Sequence, residues 1–361
     1  MTVLTRYIIR EYLKILALGA ATFVLIFFVV ELFERINVVI VHKAPLYVLL
    51  EYFIYALPPF FSQTLPFAVL LSTLITLGIR ARNNEIVAMQ AHGIGTYRII
   101  SPLFVLAIMA TAFLFVCNET VVPYAVRKAD YIWTVKVKKE KKRAFFRLNK
   151  IWYHGDEAIY NIRLLEPKDN ALRGVTIYQF DKDFNVRRRM DAREARWKRD
   201  RWFFSQVVIR DFSPGGEVST TVHEKREIVL AESLEDFKKG VKHPEEMSYR
   251  ELKEYVAKIK GEGYNYSRYL VDLHVKVAFP FVNLIMVLIG SPLALLTGRR
   301  RGGGIAQGVG LSLVVGFIYW VAFSLTLSMG HAGILPPLIA AWTPNVFFGL
   351  VGGAMLESIH Q

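Results

Sequence analysis

The chain of 361 residues holds a single cysteine, Cys117, set in an apolar run. A lone thiol forms no internal disulfide and no cysteine-based metal cluster, so Cys117 reads as a small packing residue. Charge is absent over long stretches: positions 52–79 and 302–356 contain no Lys, Arg, Asp or Glu. Catalytic signatures are absent too. The nearest approach to a phosphate loop, Gly298-Arg299-Arg300-Arg301-Gly302-Gly303-Gly304, lacks the Lys-Ser/Thr pair that would hold phosphate and magnesium. There is no GxSxG elbow and no HExxH; His223-Glu224 is followed by Lys225, Arg226 and Glu227. The chain is therefore expected to bind no cofactor or metal, to carry no catalytic residue, and to borrow any energy it uses from a partner.

Hydrophobic residues make up 53% of the chain, yet 45 Lys and Arg stand against 31 Asp and Glu, and the two properties occupy different blocks. A helix needs about 20 mainly apolar residues to cross the hydrocarbon core. Ile15 to Phe33 is the first candidate; it holds Gly19, Ala20 and Ala21, but Glu31, Leu32, Phe33, Glu34 and Arg35 follow in place of a cleavage site, which marks a retained helix. Tyr52 to Ile79 is the second. Its Pro58, Pro59 and Pro66 predict an interfacial lead-in with the span proper starting near Phe60. Ile99 to Asn118 and Val277 to Thr297 are the third and fourth. The break at Gly330-His331-Ala332-Gly333 before Pro336-Pro337 divides the last apolar stretch into a fifth and a sixth.

Lys and Arg in short loops set the orientation. Arg6, Arg10, Lys14, Arg80, Arg82, Arg98, Arg299, Arg300 and Arg301 fall on one side, and only Arg35 and Lys43 on the other. Both termini are thus expected in the cytoplasm. The chain divides into a helical half at residues 1–123, a non-cytoplasmic β domain at 124–268 and a second helical half at 269–361. Strand candidates in the middle block are Phe146 to Tyr153, Ala158 to Leu164, Val175 to Phe180, Asp191 to Lys198, Trp202 to Asp211 and Ser219 to Leu230. Their spacing suits a sandwich, a jelly roll or an open variant. Ser248-x-x-Glu251 is a capping box, and Leu252, Tyr255, Val256 and Ile259 share one face of the helix it opens. No internal repeat links the two helical halves.

Four constellations stand out. Between the second and third spans, Arg82 leads into a short helix that Asn83 or Asn84 is placed to cap, with Glu85 at its positive N-terminus and Gly93 as its stop. Ile86, Met89, Ala88 and Ala91 give it an apolar, closely approachable face, which fits either a groove on a cytosolic protein or the lipid surface. In the fifth span Gly304, Gly308, Ser312 and Gly316 recur every fourth residue, for packing within the chain or along a partner subunit. Phe317, Tyr319, Trp320 and Phe323 are expected opposite, towards lipid. At the outer end of the first span, Glu31, Glu34, Arg35, His42 and Lys43 are either rim anchors or contacts for an amphipathic head group. The β block is rich in Arg and Lys: a solvated face, or a match for acidic lipid head groups. Nucleic acid is not an expected partner outside the cytoplasm.

The order of several stretches resembles the LptF/LptG permease family, the membrane subunits of the lipopolysaccharide-export ATP-binding-cassette transporter. They are Asn84-Glu85-Ile86-Val87-Ala88-Met89-Gln90-Ala91-His92-Gly93, Gly174-Val175-Thr176-Ile177-Tyr178-Gln179-Phe180, Met247-Ser248-Tyr249 with Ser267-Arg268-Tyr269, and Gly333-Ile334-Leu335-Pro336-Pro337. Ile151-Trp152-Tyr153-His154-Gly155 leans to the LptG type, while Arg6-Tyr7-Ile8-Ile9-Arg10-Glu11 leans slightly to LptF. The resemblance implies a periplasmic jellyroll domain and a heterodimer with an LptF-type subunit in the bacterial inner membrane. It also implies a cytosolic LptB-type ATPase dimer that uses ATP and Mg, an LptA-type bridge and an LptC-type single-span regulator. Lipopolysaccharide would enter between first and fifth spans of opposing subunits, with Arg82, Glu85, Ile86, Ala88, Met89 and Gly93 coupling the ATPase. LptG-type proteins can carry Lys where this chain has Glu31, so Arg35 and Lys43 stand as the substitute cations, with Phe317 and Trp320 at the gate. A membrane-anchored sensor and an integral-membrane transferase are the rival classes. The first lacks a visible output domain and the second a catalytic constellation.

Overall fold

The computed structural model describes residues 3–139, 144–147, 150–154, 158–166, 170–181, 185–198, 201–212, 218–230, 234, 237, 244–261, 266–298 and 305–360. It divides into two compact units, Met1–Lys138 with Pro244–Gln361, and Lys139–His243.

The first unit is helical. It comprises α1 (Val3–Val41), α2 (Leu46–Arg82), α3 (Glu85–Ala91), α4 (Thr96–Tyr131), α5 (Tyr249–Gly261), α6 (Ser267–Ala278), α7 (Val282–Gly298), α8 (Ile305–His331) and α9 (Pro337–His360). Among the described residues six segments are long and apolar enough to cross a membrane: Leu4–Val41, Leu46–Arg82, Thr96–Val137, Ser267–Thr297, Ala306–His331 and Pro337–Ile359. At about 1.5 Å per residue, α1 is about twice as long as a hydrocarbon core is thick. The apolar windows in the sequence mark the middles of the first three helices, and polar residues extend them at either end. In the same way Glu51, Glu119 and Asp130 fall on helical continuations that hydropathy alone does not count.

The three prolines do not divide the second span as expected. α2 runs unbroken through Pro58, Pro59 and Pro66. It is the hub of the unit, packed against α1, α4, α7 and α8, and these neighbours hold a helix that has lost backbone bonds. Pro280 has the larger effect. It sits in a 3-10 turn, Phe279–Phe281, between α6 and α7. Side chains then satisfy carbonyls in and beside the turn: Asn345 Nδ2 donates to Ala278 O at 2.8 Å, and Thr111 Oγ1 to Pro280 O at 3.1 Å. Tyr319 OH donates to Asn345 Oδ1 at 2.7 Å, so one polar chain knits α8, α9 and the end of α6.

The capping box forms as expected. Glu251 N donates to Ser248 Oγ at 3.2 Å, and Ser248 N to Glu251 Oε2 at 3.0 Å. Leu252, Tyr255, Val256 and Ile259 are all buried. Glu119 on α4 accepts the Tyr249 N–H at 2.7 Å, and Arg127 pairs with Glu251 at 3.1 Å. These bonds attach α5 to the helical unit, although the sequence boundary at 268 groups it with the β block.

Among its described residues the second unit holds an antiparallel sheet of seven strands, paired in chain order. They are β1 (Ala144–Arg147), β2 (Lys150–His154), β3 (Ala158–Glu166), β4 (Ala171–Phe180), β5 (Val186–Lys198), β6 (Arg201–Phe212) and β7 (Val218–Ile228). The Phe146-to-Tyr153 candidate resolves into the hairpin of β1 and β2, which pair Phe146 with Ile151. A meander of this kind is the open variant among the jellyroll-like arrangements that the spacing admits. Tyr153, Tyr160, Ile177, Met190, Trp202 and Phe204 line its apolar face with Phe237 among them. Phe237 makes edge-on contacts with Tyr153, Tyr160 and Trp202 at 5.1–5.7 Å between ring centroids.

Candidate functional site

α3 is seven residues long and held at both ends. Neither asparagine caps it through its side chain. Asn83 terminates α2, and Asn84 adopts a left-handed backbone (φ 57°) while its carbonyl accepts the Ala88 N–H at 2.9 Å. The stop is Gly93, at φ 80°. Ile94 N reaches Met89 O at 3.0 Å and Gly93 N reaches Gln90 O at 2.9 Å, the bond pair of a Schellman motif. Gln90 Nε2 also donates to Thr96 Oγ1 at 2.9 Å, which ties α3 to the start of α4.

The face of α3 that presents outward differs from expectation. Ile86 is 3% exposed and belongs to the core shared by α1, α2 and α4, with Met89 and Ile94 packed against it. One such side chain contributes about 1.5–3 kcal/mol on burial. With Ile86 and Met89 serving as the anchor, the outward surface is Val87, Ala88 and Ala91, flanked by Arg82 and Tyr97. Glu85 stands 4.0 Å from the Nε of Arg80, which is buried at the end of α2. Arg80 Nη1 donates to Thr76 O at 2.8 Å, and its guanidinium lies 4.7 Å from the ring centroid of Tyr7 on α1.

At the other end of α1, Arg35 is not a free cation. It pairs with Glu31, and Tyr52 OH donates to the same carboxylate at 2.7 Å. Its guanidinium lies 4.2 Å from the Trp133 centroid and 4.8 Å from that of Tyr52. Trp133 sits in a π-helical segment, Ile132–Val137, that continues α4, and Lys136 of the same segment pairs with Glu51 on α2 at 2.6 Å. Three helices are therefore riveted at one point. Lys43 stands outside the rivet, exposed and left-handed (φ 49°) at the end of α1.

The small residues of α8 face α2. A Cβ on Gly316 would lie 2.7 Å from the ring of Phe67, and one on Gly308 3.5 Å from Ile75; Ser312 is buried between them. Gly304 lies outside the described residues. On the far side Phe317 is 63% and Trp320 55% exposed, but Tyr319 is buried on Asn345 and Phe323 stacks on Tyr319. The expectation that those two face lipid is corrected, because a helix turn carries them back towards α9. Phe67 also contacts Phe23 of α1, at 6.1 Å between centroids, so α1 and α8 flank one ridge of α2. Their apolar windows are only 11% and 17% buried, against 72% for α2. Leu18, Leu25, Phe33, Leu313 and Phe317 are among the bare side chains.

A sequence model described as "Lipopolysaccharide export system permease LptF/LptG" matches residues 6–358. The chain belongs to the LptF/LptG family. It is 25% identical over 303 residues to lipopolysaccharide export system permease protein LptG of Escherichia coli (strain K12), 79% of each chain. It is 23% identical over 292 residues, 78% of each chain, to the protein of the same name from Haemophilus influenzae. Both relatives carry the LptG name, the type to which the Ile151–Gly155 stretch leans. Within this LptF/LptG frame the sequence reading missed Tyr7, Tyr52, Trp133 and the full weight of Arg80. Arg80 counts there as an orientation charge and as the head of the loop into α3, with no role of its own, although a Glu five positions on, across a helix break, is the signal that it has a local partner.

Proposed function

We propose that the chain is the LptG-type permease subunit of an ATP-binding-cassette transporter that draws lipopolysaccharide from the outer leaflet of the bacterial inner membrane. It works as a heterodimer with an LptF-type subunit. An LptB-type ATPase dimer, using ATP and Mg, presses on α3 in the cytoplasm, and the cargo leaves through periplasmic β domains to an LptA-type bridge beside an LptC-type regulator. Both termini are cytoplasmic. The observation that supports the reading is the bareness of α1 and α8: two apolar walls on one ridge, suited to acyl chains and to an opposing subunit. Of the two candidate cations Arg35 is paired with Glu31, and Lys43 is exposed and placed for a phosphorylated head group.

Photo-crosslinking residues at Leu25 and Phe317, in membranes containing the complete transporter, test this directly. Both are expected to label lipopolysaccharide, with labelling that changes on ATP addition. Labelling that ignores ATP, or purification in mild detergent without a stoichiometric ATPase, overturns it.

A further inference from the structure

The buried arginine at the end of α2 carries an inference that deepens this reading and rests on its placement of the ATPase at α3. We propose that Arg80 is a positioning residue that passes the movement of α3 to α1 by closing onto Glu85. Its side chain is 4% exposed, yet Nε and Nη2 have no hydrogen-bond partner, and neither does Thr76 Oγ1 beside it. A buried cation with vacant donors is costly, and structures retain one only where something compensates. Those two nitrogens form one edge of the guanidinium plane, the edge that a carboxylate grips side-on with two parallel bonds. The carboxylate paired with it is that of Glu85, whose Oε2 stands 4.0 Å from Nε, about 1 Å beyond hydrogen-bonding range.

Three helices meet at this guanidinium: α2 holds it, α3 offers Glu85, and α1 lays the Tyr7 ring against it. Ile86, the residue after Glu85, is wedged into the same core, so α3 has a pivot for a short inward tilt. A push on the Val87–Ala88–Ala91 surface closes the gap, satisfies the vacant edge, and shifts the guanidinium under Tyr7. The far part of α1 is one of the two bare walls, so cytosolic pressure reaches the lipid-facing gate through one side chain.

The test is the amount of lipopolysaccharide released per ATP hydrolysed by the reconstituted complete transporter carrying Arg80→Gln, Arg80→Lys, Glu85→Gln or Arg80→Gln/Glu85→Gln. Arg80→Gln is expected to lower that ratio at least fivefold while hydrolysis continues. Arg80→Lys should recover part of it, and Glu85→Gln should add nothing once Arg80 is gone. Tyr7→Leu, an exposed position, lowers the ratio without removing a charge, and it decides the matter if Arg80→Gln does not fold. Unchanged ratios in Arg80→Gln and Tyr7→Leu overturn the proposal. So does a parallel fall of hydrolysis and release, or additive losses in the double variant. An unmodified transporter that releases no lipid with ATP refutes the proposed function itself, before any variant is made.

Discussion

Two arginines stand near opposite ends of the α1–α2 pair, each beside a glutamate and at least one aromatic ring, and only one of them is satisfied. Arg35 is satisfied: Glu31 pairs with it, Tyr52 shares that carboxylate, two rings cover its faces, and its 30% exposure leaves the remaining donors within reach of water. Arg80 is more deeply buried and has one edge vacant, with its glutamate 4.0 Å off. A closed network fixes the helices it joins, whereas an open one stores a preference for a second arrangement. The same residue types thus make a rivet at one end of α1 and a latch at the other. The difference lies in whether the carboxylate is on the neighbouring turn of the same helix, as Glu31 is, or on a separate short helix that can move.

That contrast is broken most sharply by Arg35→Met and Arg80→Met, followed by reversible unfolding of the purified protein in mild detergent. Arg35→Met leaves Glu31, 18% exposed, without its counter-ion and removes two cation–π contacts, so a loss of about 2–3 kcal/mol is expected. Arg80→Met removes two donors that have nothing to bond, together with the bond to Thr76 O and the contact with the Tyr7 ring, and leaves Glu85, 32% exposed, to water; the terms offset, and stability is expected within about 1 kcal/mol of the parent. Equal losses at the two sites would erase the distinction between rivet and latch. Tyr52→Phe comes next. It strips one hydrogen bond from Glu31 and keeps the ring over Arg35, for an expected loss of about 1 kcal/mol in the same assay.

The rivet and the latch were unequally legible in the sequence, for physical reasons. Membrane helices announce themselves because hydrocarbon demands long uncharged runs, and the six spans follow from that demand, while the β block follows from short strand-forming runs between turn residues. The capping box Ser248–Glu251 and the stop at Gly93 are local, so spacing alone places them. Contacts between distant positions leave no such trace. Glu31 with Arg35 is an i, i+4 pair that periodicity can see, but Trp133 reaches Arg35 only because α4 continues past the apolar window into a π-helical segment. Ile86 reads as an outward apolar residue on any two-turn helix; its burial depends on how α3 is clamped to the bundle. Tyr319 shows the converse: an aromatic on a lipid-rich span turns inward because Asn345 gives its hydroxyl an acceptor.

The smallest expected effect concerns the helix ends themselves. α1 and α3 stop with the same bond pair, but a glycine holds the left-handed position after α3 and Lys43 holds it after α1, where Ala44 N reaches Val39 O and Lys43 N reaches Ile40 O, both at 3.1 Å. A side chain in that conformation costs about 1–2 kcal/mol, and glycine returns about 0.4–1 kcal/mol of this as extra freedom in the unfolded chain. Lys43→Gly is therefore expected to raise stability by about 0.5 kcal/mol, and Gly93→Ala to lower it by about 1 kcal/mol. A lysine kept where glycine folds better needs a reason outside folding, and head-group binding is the one proposed above. The stabilised Lys43→Gly protein should crosslink less lipopolysaccharide from Leu25 than its parent. If it crosslinks as much, the exposed ammonium is a rim anchor only, and the head group finds its counter-charge elsewhere.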